Sequence, residues 1–240
     1  MFVQPAKRTL ITGASSGIGR ALAIALADRR YPLFLTGRNG DKLRAVTEGL
    51  TGAGEVGSAA ADLVAPRAAE QVVQRAVEHL GGLDAVVHCT GIGLIKPALE
   101  TTDAEFCAVT NVNLRGTFLV AQAAMKVMAA QKSGLFVALP GTLGKYPMKN
   151  AAAYAASKFG TVGLLKGMAA ELQRAGVKVV LLHLGGVDSP FWDHLNLPVQ
   201  REKMIPVDVA AQQILNVLEL PSHLVLNELT LQPESHQLGA

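Results

Sequence analysis

The stretch Thr9-Leu10-Ile11-Thr12-Gly13-Ala14-Ser15-Ser16-Gly17-Ile18-Gly19 decides the fold. It begins as a short apolar run, turns through three glycines, and enters a helical pattern over Ile18–Arg29. A strand, a glycine-rich turn and a helix N-terminus form a pyrophosphate site. Glycine lets the backbone turn tightly and approach phosphate, and the helix end offers free N–H groups and partial positive charge. The spacing is G-x-x-x-G-x-G, not the G-x-G-x-x-G of the commoner dinucleotide fingerprint. Gly13, Ser15, Ser16, Gly17, Ile18 and Gly19 are therefore candidate phosphate-binding residues.

Outward from this turn, apolar runs alternate with longer helical patterns. The runs are Thr9–Thr12, Pro32–Thr36, Val56–Ala61, Asp84–Cys89, Leu135–Leu139, Val177–Leu184 and Leu224–Leu231. Between them lie Ile18–Arg29, Asp41–Leu50, Arg67–Leu80, Asp103–Ala130, Ala152–Arg174 and Val207–Leu218. Alternating strands and helices imply right-handed βαβ units and a parallel sheet. The strands read as continuous apolar runs, so both sheet faces are covered. The expected fold is α/β, a single domain over 1–240 with a doubly wound parallel sheet of about seven strands. The 240 residues are 50% hydrophobic and 17% charged, with few aromatics, which suits an Ala/Val/Leu/Ile core.

Two further places carry chemistry. At the end of the second apolar run the sequence is Leu35-Thr36-Gly37-Arg38-Asn39. Many dinucleotide enzymes have an acid there for a ribose 2′-hydroxyl. Arg38 instead suits a 2′-phosphate through charge-assisted hydrogen bonds, so the expected cofactor is NADP(H) rather than NAD(H). Later, Tyr154-Ala155-Ala156-Ser157-Lys158 puts tyrosine and lysine at i and i+4 on one helix face. A free tyrosine has a pKa of about 10, and a nearby ammonium lowers it. Such a pair exchanges a proton with a carbonyl or alcohol oxygen. On its own Y-x-x-x-K is common; beside the glycine turn it gains weight.

With these motifs the chain resembles the short-chain dehydrogenase/reductase family over nearly its whole length. The motifs are Thr12–Gly19, Asp62-Leu63, Asn111-Val112-Asn113-Leu114, Tyr154–Lys158 and Leu184-Gly185-Gly186-Val187-Asp188-Ser189. The resemblance implies a Rossmann-like domain and an oxidoreductase that moves hydride between NADP(H) and a carbonyl or secondary alcohol. It makes Tyr154 the acid/base. Lys158 would lower the Tyr154 pKa and hold the nicotinamide ribose, and Asn113 would join a proton relay through water. It places Asp62 at the adenine with Leu63 nearby, Val187 at the nicotinamide carboxamide through its backbone, and Ser189 where a threonine usually touches cofactor. Gly91 and Gly185 keep glycines of the family's turns. The ending Glu228-Leu229-Thr230-Leu231-Gln232-Pro233 resembles NADP(H) reductases that end in E-x-T-x-x-P.

The pattern also breaks. The family has a serine thirteen positions before the tyrosine, which polarises the substrate carbonyl; here that residue is Gly141. Thr142, one position later, either replaces the serine or does not. His88-Cys89-Thr90-Gly91 stands for the usual N-N-A-G; His88 reads as a satisfied structural histidine and Cys89 as a packing residue. An alternative function is a non-catalytic NADP(H)-binding sensor or scaffold, favoured by Gly141. A different Rossmann enzyme such as a methyltransferase leaves Tyr154 and Lys158 unexplained.

Residues 189–206 form a candidate substrate lid. Its Phe191, Trp192, Leu195, Leu197 and Met204 suggest an apolar or aromatic substrate, or packing against the domain or a neighbouring subunit. The net charge of +3 argues for neither nucleic acid nor membrane as partner. No signal peptide, membrane span or metal-ligand spacing is expected. Two cysteines, Cys89 and Cys107, suit a cytoplasmic protein with reduced thiols. The family resemblance implies a homo-oligomer, dimer or tetramer.

Overall fold

Strands buried on both faces need helices on both faces, and that is the arrangement seen. In this computed structural model, residues 6–50, 54–195, 197–235, 237 and 239 are described. Among them the strands are β1 (Thr9–Thr12), β2 (Leu33–Gly37), β3 (Val56–Ala60), β4 (Ala85–His88), β5 (Gly134–Ala138), β6 (Val177–Leu184) and β7 (Glu228–Leu231). They form one parallel sheet in the order β3-β2-β1-β4-β5-β6-β7. Ile11 pairs with Leu35 on one side and Val87 on the other. The strand order reverses between β1 and β4. In open α/β sheets the crevice at such a switch point, beyond the strand C-termini, is where ligands bind.

The helices are α1 (Gly17–Ala27), α2 (Gly40–Gly49), α3 (Ala68–Leu80), α4 (Asp103–Thr110), α5 (Gly116–Gln131), α6 (Ala152–Leu172) and α7 (Val207–Leu218). One face of the sheet packs Ile11, Leu35 and Val87 against Leu22 and Leu26 of α1, Leu43 of α2, and Ile214 and Leu218 of α7. The other packs Leu10, Val86 and Phe136 against Val72 of α3, Met125 of α5 and Leu165 of α6. Fully burying one such side chain is worth about 1.5–3 kcal/mol, which is why the apolar runs fix the sheet. No described helix is long and apolar enough to cross a membrane.

Two expected elements differ. The single helix expected over Asp103–Ala130 is interrupted: a π-helical turn, Asn111–Arg115, separates α4 from α5. Its cause is Asn113, whose side chain is drawn onto the backbone of Ile92. The strand expected over Leu224–Leu231 begins only at Glu228. Before it, Leu224 N–H closes a turn on the Pro221 carbonyl (2.9 Å), and Leu224 and Val225 are exposed. The segment after β6 forms short 3₁₀ turns at Pro190–His194 and Arg201–Lys203; residue 196 lies outside the described residues.

Candidate active site

The glycine turn joins β1 to α1 at the crevice. Gly13 has φ +68° and Gly17 φ +51°, in the region glycine tolerates best. A Cβ on Gly19 would lie 2.4 Å from the Gly13 carbonyl oxygen, so the turn closes on itself only without a side chain there. Ser16 begins α1 in extended conformation. Ser189, from the segment after β6, sits against Gly17: a Cβ on that glycine would be 3.5 Å from the Ser189 Cβ. The loops after β1 and β6 thus meet over the crevice. Such a cradle, which side chains would fill, fits a dinucleotide pyrophosphate.

Arg38 follows β2 directly, is exposed, and forms no ion pair or hydrogen bond among the described residues. Asn39 beyond it caps α2, accepting from the Lys42 N–H at 2.9 Å. Asp62 is exposed after β3; its carboxylate accepts from the Val64 N–H at 3.3 Å, and Leu63 beside it is buried. Val187 is buried and bridged to Ile205. The Val187 carbonyl takes a hydrogen bond from the Trp192 indole N–H at 2.8 Å. Gly185 sits under Pro233, where a Cβ would come within 2.8 Å of the proline ring.

Tyr154 and Lys158 share one face of α6, with the Lys158 Nζ 5.6 Å from the centre of the Tyr154 ring. Lys158 is buried and donates to the Leu139 carbonyl at 3.3 Å. A Cβ on Gly91 would be 3.4 Å from Lys158 Nζ and 3.3 Å from Asn113 Oδ1, so the loop after β4 lies close beside the pair. Burial pushes the Tyr154 phenol up and the Lys158 ammonium down to about 8. The phenol pKa is therefore raised here, not lowered as expected from the sequence. Here the cost of burying a phenolate outweighs its attraction to a cation that is itself poorly solvated.

Asn113 is buried at the π turn. Its Oδ1 accepts from the Ile92 N–H (2.8 Å), while its Nδ2 donates to the Ile92 carbonyl (2.9 Å) and to the Ser157 hydroxyl (3.0 Å). Its backbone carbonyl accepts from the Thr117 and Thr161 hydroxyls at 2.6 and 3.1 Å. Ser157 in turn donates to the Tyr154 carbonyl at 2.7 Å. Sequence reasoning missed Ser157 and Ile92, which tie the Asn113 turn to the first turns of α6. The position of Ser157 between Tyr154 and Lys158 was the one available hint.

After β5, Gly141 takes φ +72° and ψ 176°, a conformation essentially reserved for glycine. Thr142 opens a 3₁₀ turn, Thr142–Gly144, packed against α6. It is buried, and its hydroxyl makes no hydrogen bond to another described residue. The His88 Nδ1 pairs with the Thr12 hydroxyl at 2.8 Å, and Thr90 donates to the same hydroxyl at 3.0 Å. Burial drops His88 to about 3 and raises the Cys89 thiol to about 12, which leaves both neutral. The expected satisfied histidine is only half met: Nδ1 is paired, but the buried Nε2 has no hydrogen-bond partner among the described residues. Phe191 of the lid reaches the Tyr154 ring, centroids 6.2 Å apart. Among the described residues no cluster of His, Cys, Asp or Glu could hold a metal ion.

The chain matches the family model described as short chain dehydrogenase over residues 7–199. An uncharacterized oxidoreductase of Staphylococcus aureus (strain MRSA252) is 32% identical over 233 residues, covering 97% of this chain and all of that protein. Among solved structures, an alcohol dehydrogenase from the archaeon Thermococcus sibiricus, complexed with 5-hydroxy-NADP, superposes with a TM-score of 0.89 at 26% identity, covering 97% of this chain and 98% of that one. A metagenomic short-chain oxidoreductase in complex with NADP gives 0.81 at 28% identity, covering 95% and 97%. The protein belongs to the short-chain dehydrogenase/reductase family, and its sheet of parallel strands is the Rossmann-like fold of those enzymes.

Proposed function

We propose that the protein is an NADP(H)-dependent oxidoreductase that reduces the carbonyl group of a small apolar compound to an alcohol, or runs the reverse reaction. The observation that carries this is the Tyr154 ring beside the buried Lys158 amine on α6, 5.6 Å apart, in a sheet whose first turn is a tight glycine turn that would cradle phosphate. The 5-hydroxy-NADP of the archaeal structure and the NADP of the metagenomic one support the choice of nicotinamide cofactor. The free, exposed Arg38 supports the phosphorylated form, since a guanidinium binds phosphate through paired hydrogen bonds.

NADP(H), when bound, supplies or accepts the hydride. Gly13, Ser15, Ser16, Gly17, Ile18 and Gly19 would hold the pyrophosphate. Asp62 and Leu63 would border the adenine, and Gly185, Val187 and Ser189 would close on the nicotinamide side. Lys158 would reach the ribose hydroxyls with the donors not used on Leu139. The Tyr154 hydroxyl would give its proton to the carbonyl oxygen as negative charge develops there. A phenol held protonated by burial suits that donor role. Thr142, with its hydroxyl unengaged, would donate to the same oxygen in place of the family's serine. Asn113 would join a relay through water that returns a proton to Lys158. The lid over 189–206, with Phe191 on Tyr154, would exclude water and favour an apolar substrate.

The test is a panel of ketones, aldehydes and diketones with NADPH and with NADH, followed by absorbance of the reduced nicotinamide. Turnover with NADPH in clear preference to NADH is expected. A second reading, an NADP(H)-binding sensor without turnover, is favoured by the missing side chain at Gly141. Tight NADPH binding with no oxidation on any carbonyl compound would select it. We also propose self-association, on the strength of Phe106, Phe118 and Phe159, exposed on α4, α5 and α6.

A further inference from the structure

Outside the pair of Tyr154 and Lys158, one buried histidine touches the turn that carries Thr142. His183 lies on β6 and is fully buried. Its Nδ1 is 2.9 Å from the Gly141 carbonyl oxygen. That oxygen only accepts, so Nδ1 carries the proton and the ring is fixed in one tautomer. Its Nε2 faces Oε2 of Glu228 on β7 at 3.4 Å. Glu228 is in turn held by Lys145, just after the Thr142 turn, at 2.7 Å and by Lys166 of α6 at 2.5 Å. These two lysines keep the Glu228 carboxyl well below its usual range. Nε2 itself has no hydrogen-bond partner among the described residues, and the nearby carboxylate is taken up by the two lysines.

We propose that His183 is a positioning residue, which holds the Gly141 carbonyl and thereby keeps Thr142 in register with Tyr154 and Lys158. The need arises from Gly141 itself. Without a side chain, the Gly141 backbone lacks the steric restriction that a Cβ imposes on the rest of the segment, and it sits at φ +72°. Two donors fix the carbonyl: the Gly144 N–H at 3.1 Å, from within the turn, and His183, from the sheet. The same segment gives the Leu139 carbonyl to Lys158. Residues 139–144 are thus pinned from the Lys158 side at one end and from the His183 side at the other. Gly144 also packs close to the imidazole, where a Cβ would be 3.5 Å from His183 Cε1. Loss of the His183 donor leaves the local Gly144 bond and frees the turn to pivot.

This inference rests on the reductase reading, and its test separates the two. Wild-type turnover with NADPH tests that reading. His183→Asn keeps an N–H near the Nδ1 position, whereas His183→Gln moves it toward Nε2. Misplacement of a catalytic group by about 1 Å costs up to about a hundredfold. His183→Asn is therefore expected to keep kcat within about threefold, and His183→Gln to lose at least about tenfold in kcat with the KM for NADPH little changed. Equal kcat for the two variants, or a loss confined to the KM for NADPH, would overturn the proposal. A nitrogen-15 NMR spectrum of the wild-type histidines gives a readout independent of turnover and of variant folding. Protonation of His183 at Nδ1 alone is expected; a ring protonated only at Nε2 sinks the proposal.

Discussion

At the scale of single residues, burial sets the chemistry of the site more than charge does. Lys158 is pulled down to about 8 by desolvation, so in the folded protein its charged form is disfavoured relative to the unfolded chain. The unfolded chain then binds more protons between about pH 8 and 10.5, and stability rises with pH across that window. At pH 7 the penalty is on the order of 3 kcal/mol. Lys158→Met is expected to be more stable than wild type at pH 7, by a margin that shrinks toward pH 10. Thermal denaturation at the two values checks this; a margin that does not change with pH contradicts it. At Gly141 the backbone, not the pocket, bars the family's serine, because φ +72° with ψ 176° strains any other residue by about 1–3 kcal/mol. Gly141→Ser should therefore lower the unfolding free energy by about that amount without raising kcat. At Arg38, loss of charge-assisted bonds to phosphate should weaken NADPH by tenfold or more, about 1.5–3 kcal/mol, and leave NADH nearly unchanged. Titrations of Arg38→Ala with both cofactors decide this, and equal losses would remove the basis for NADP(H) preference.

At the scale of elements, the sequence was most legible where burial alone dictates structure. β1, β6 and α7 fall at their expected bounds because their apolar runs meet sheet or helix on every side. The π turn at Asn111–Arg115 was not legible, because its cause lies twenty-one residues away in the Ile92 backbone. Local propensity favours an unbroken helix there; the amide's two bonds to Ile92 override it. Asn113→Leu, similar in size but unable to bond, should strand the half-buried Ile92 N–H and carbonyl, each at a cost of up to about 1–3 kcal/mol. A fall in Tm together with loss of turnover is expected, and an unchanged Tm would show that these bonds matter little. The shortened β7 was hidden for a similar reason: the apolar Leu224–Leu226 look strand-like, but the turn begun at Pro221 keeps Leu224 and Val225 out of the sheet.

At the scale of the molecule, the doubly wound parallel sheet was legible in the alternation of strands and helices, since right-handed crossovers leave few ways to wind such a chain; the strand order itself came from the structure. The same topology explains why distant residues converge. Gly13, Gly91, Tyr154 and Ser189 are far apart in sequence but follow β1, β4, β5 and β6 to one end of one sheet. His183 shows the limit of that legibility, because which carbonyl a buried strand histidine meets depends on the neighbouring strand's register and on the turn beyond it. The exposed phenylalanines on α4, α5 and α6 predict a particle larger than one 240-residue chain by light scattering, reduced to the monomer by Phe118→Glu with Phe159→Glu. The most direct measurement is kinetic: wild type and Tyr154→Phe compared on one carbonyl substrate, with NADPH affinity determined for both. Removing the acid should cut kcat by at least about a hundredfold while NADPH binding stays within about threefold. A Tyr154→Phe enzyme that still turns over near the wild-type rate would contradict the assignment of the proton to this phenol.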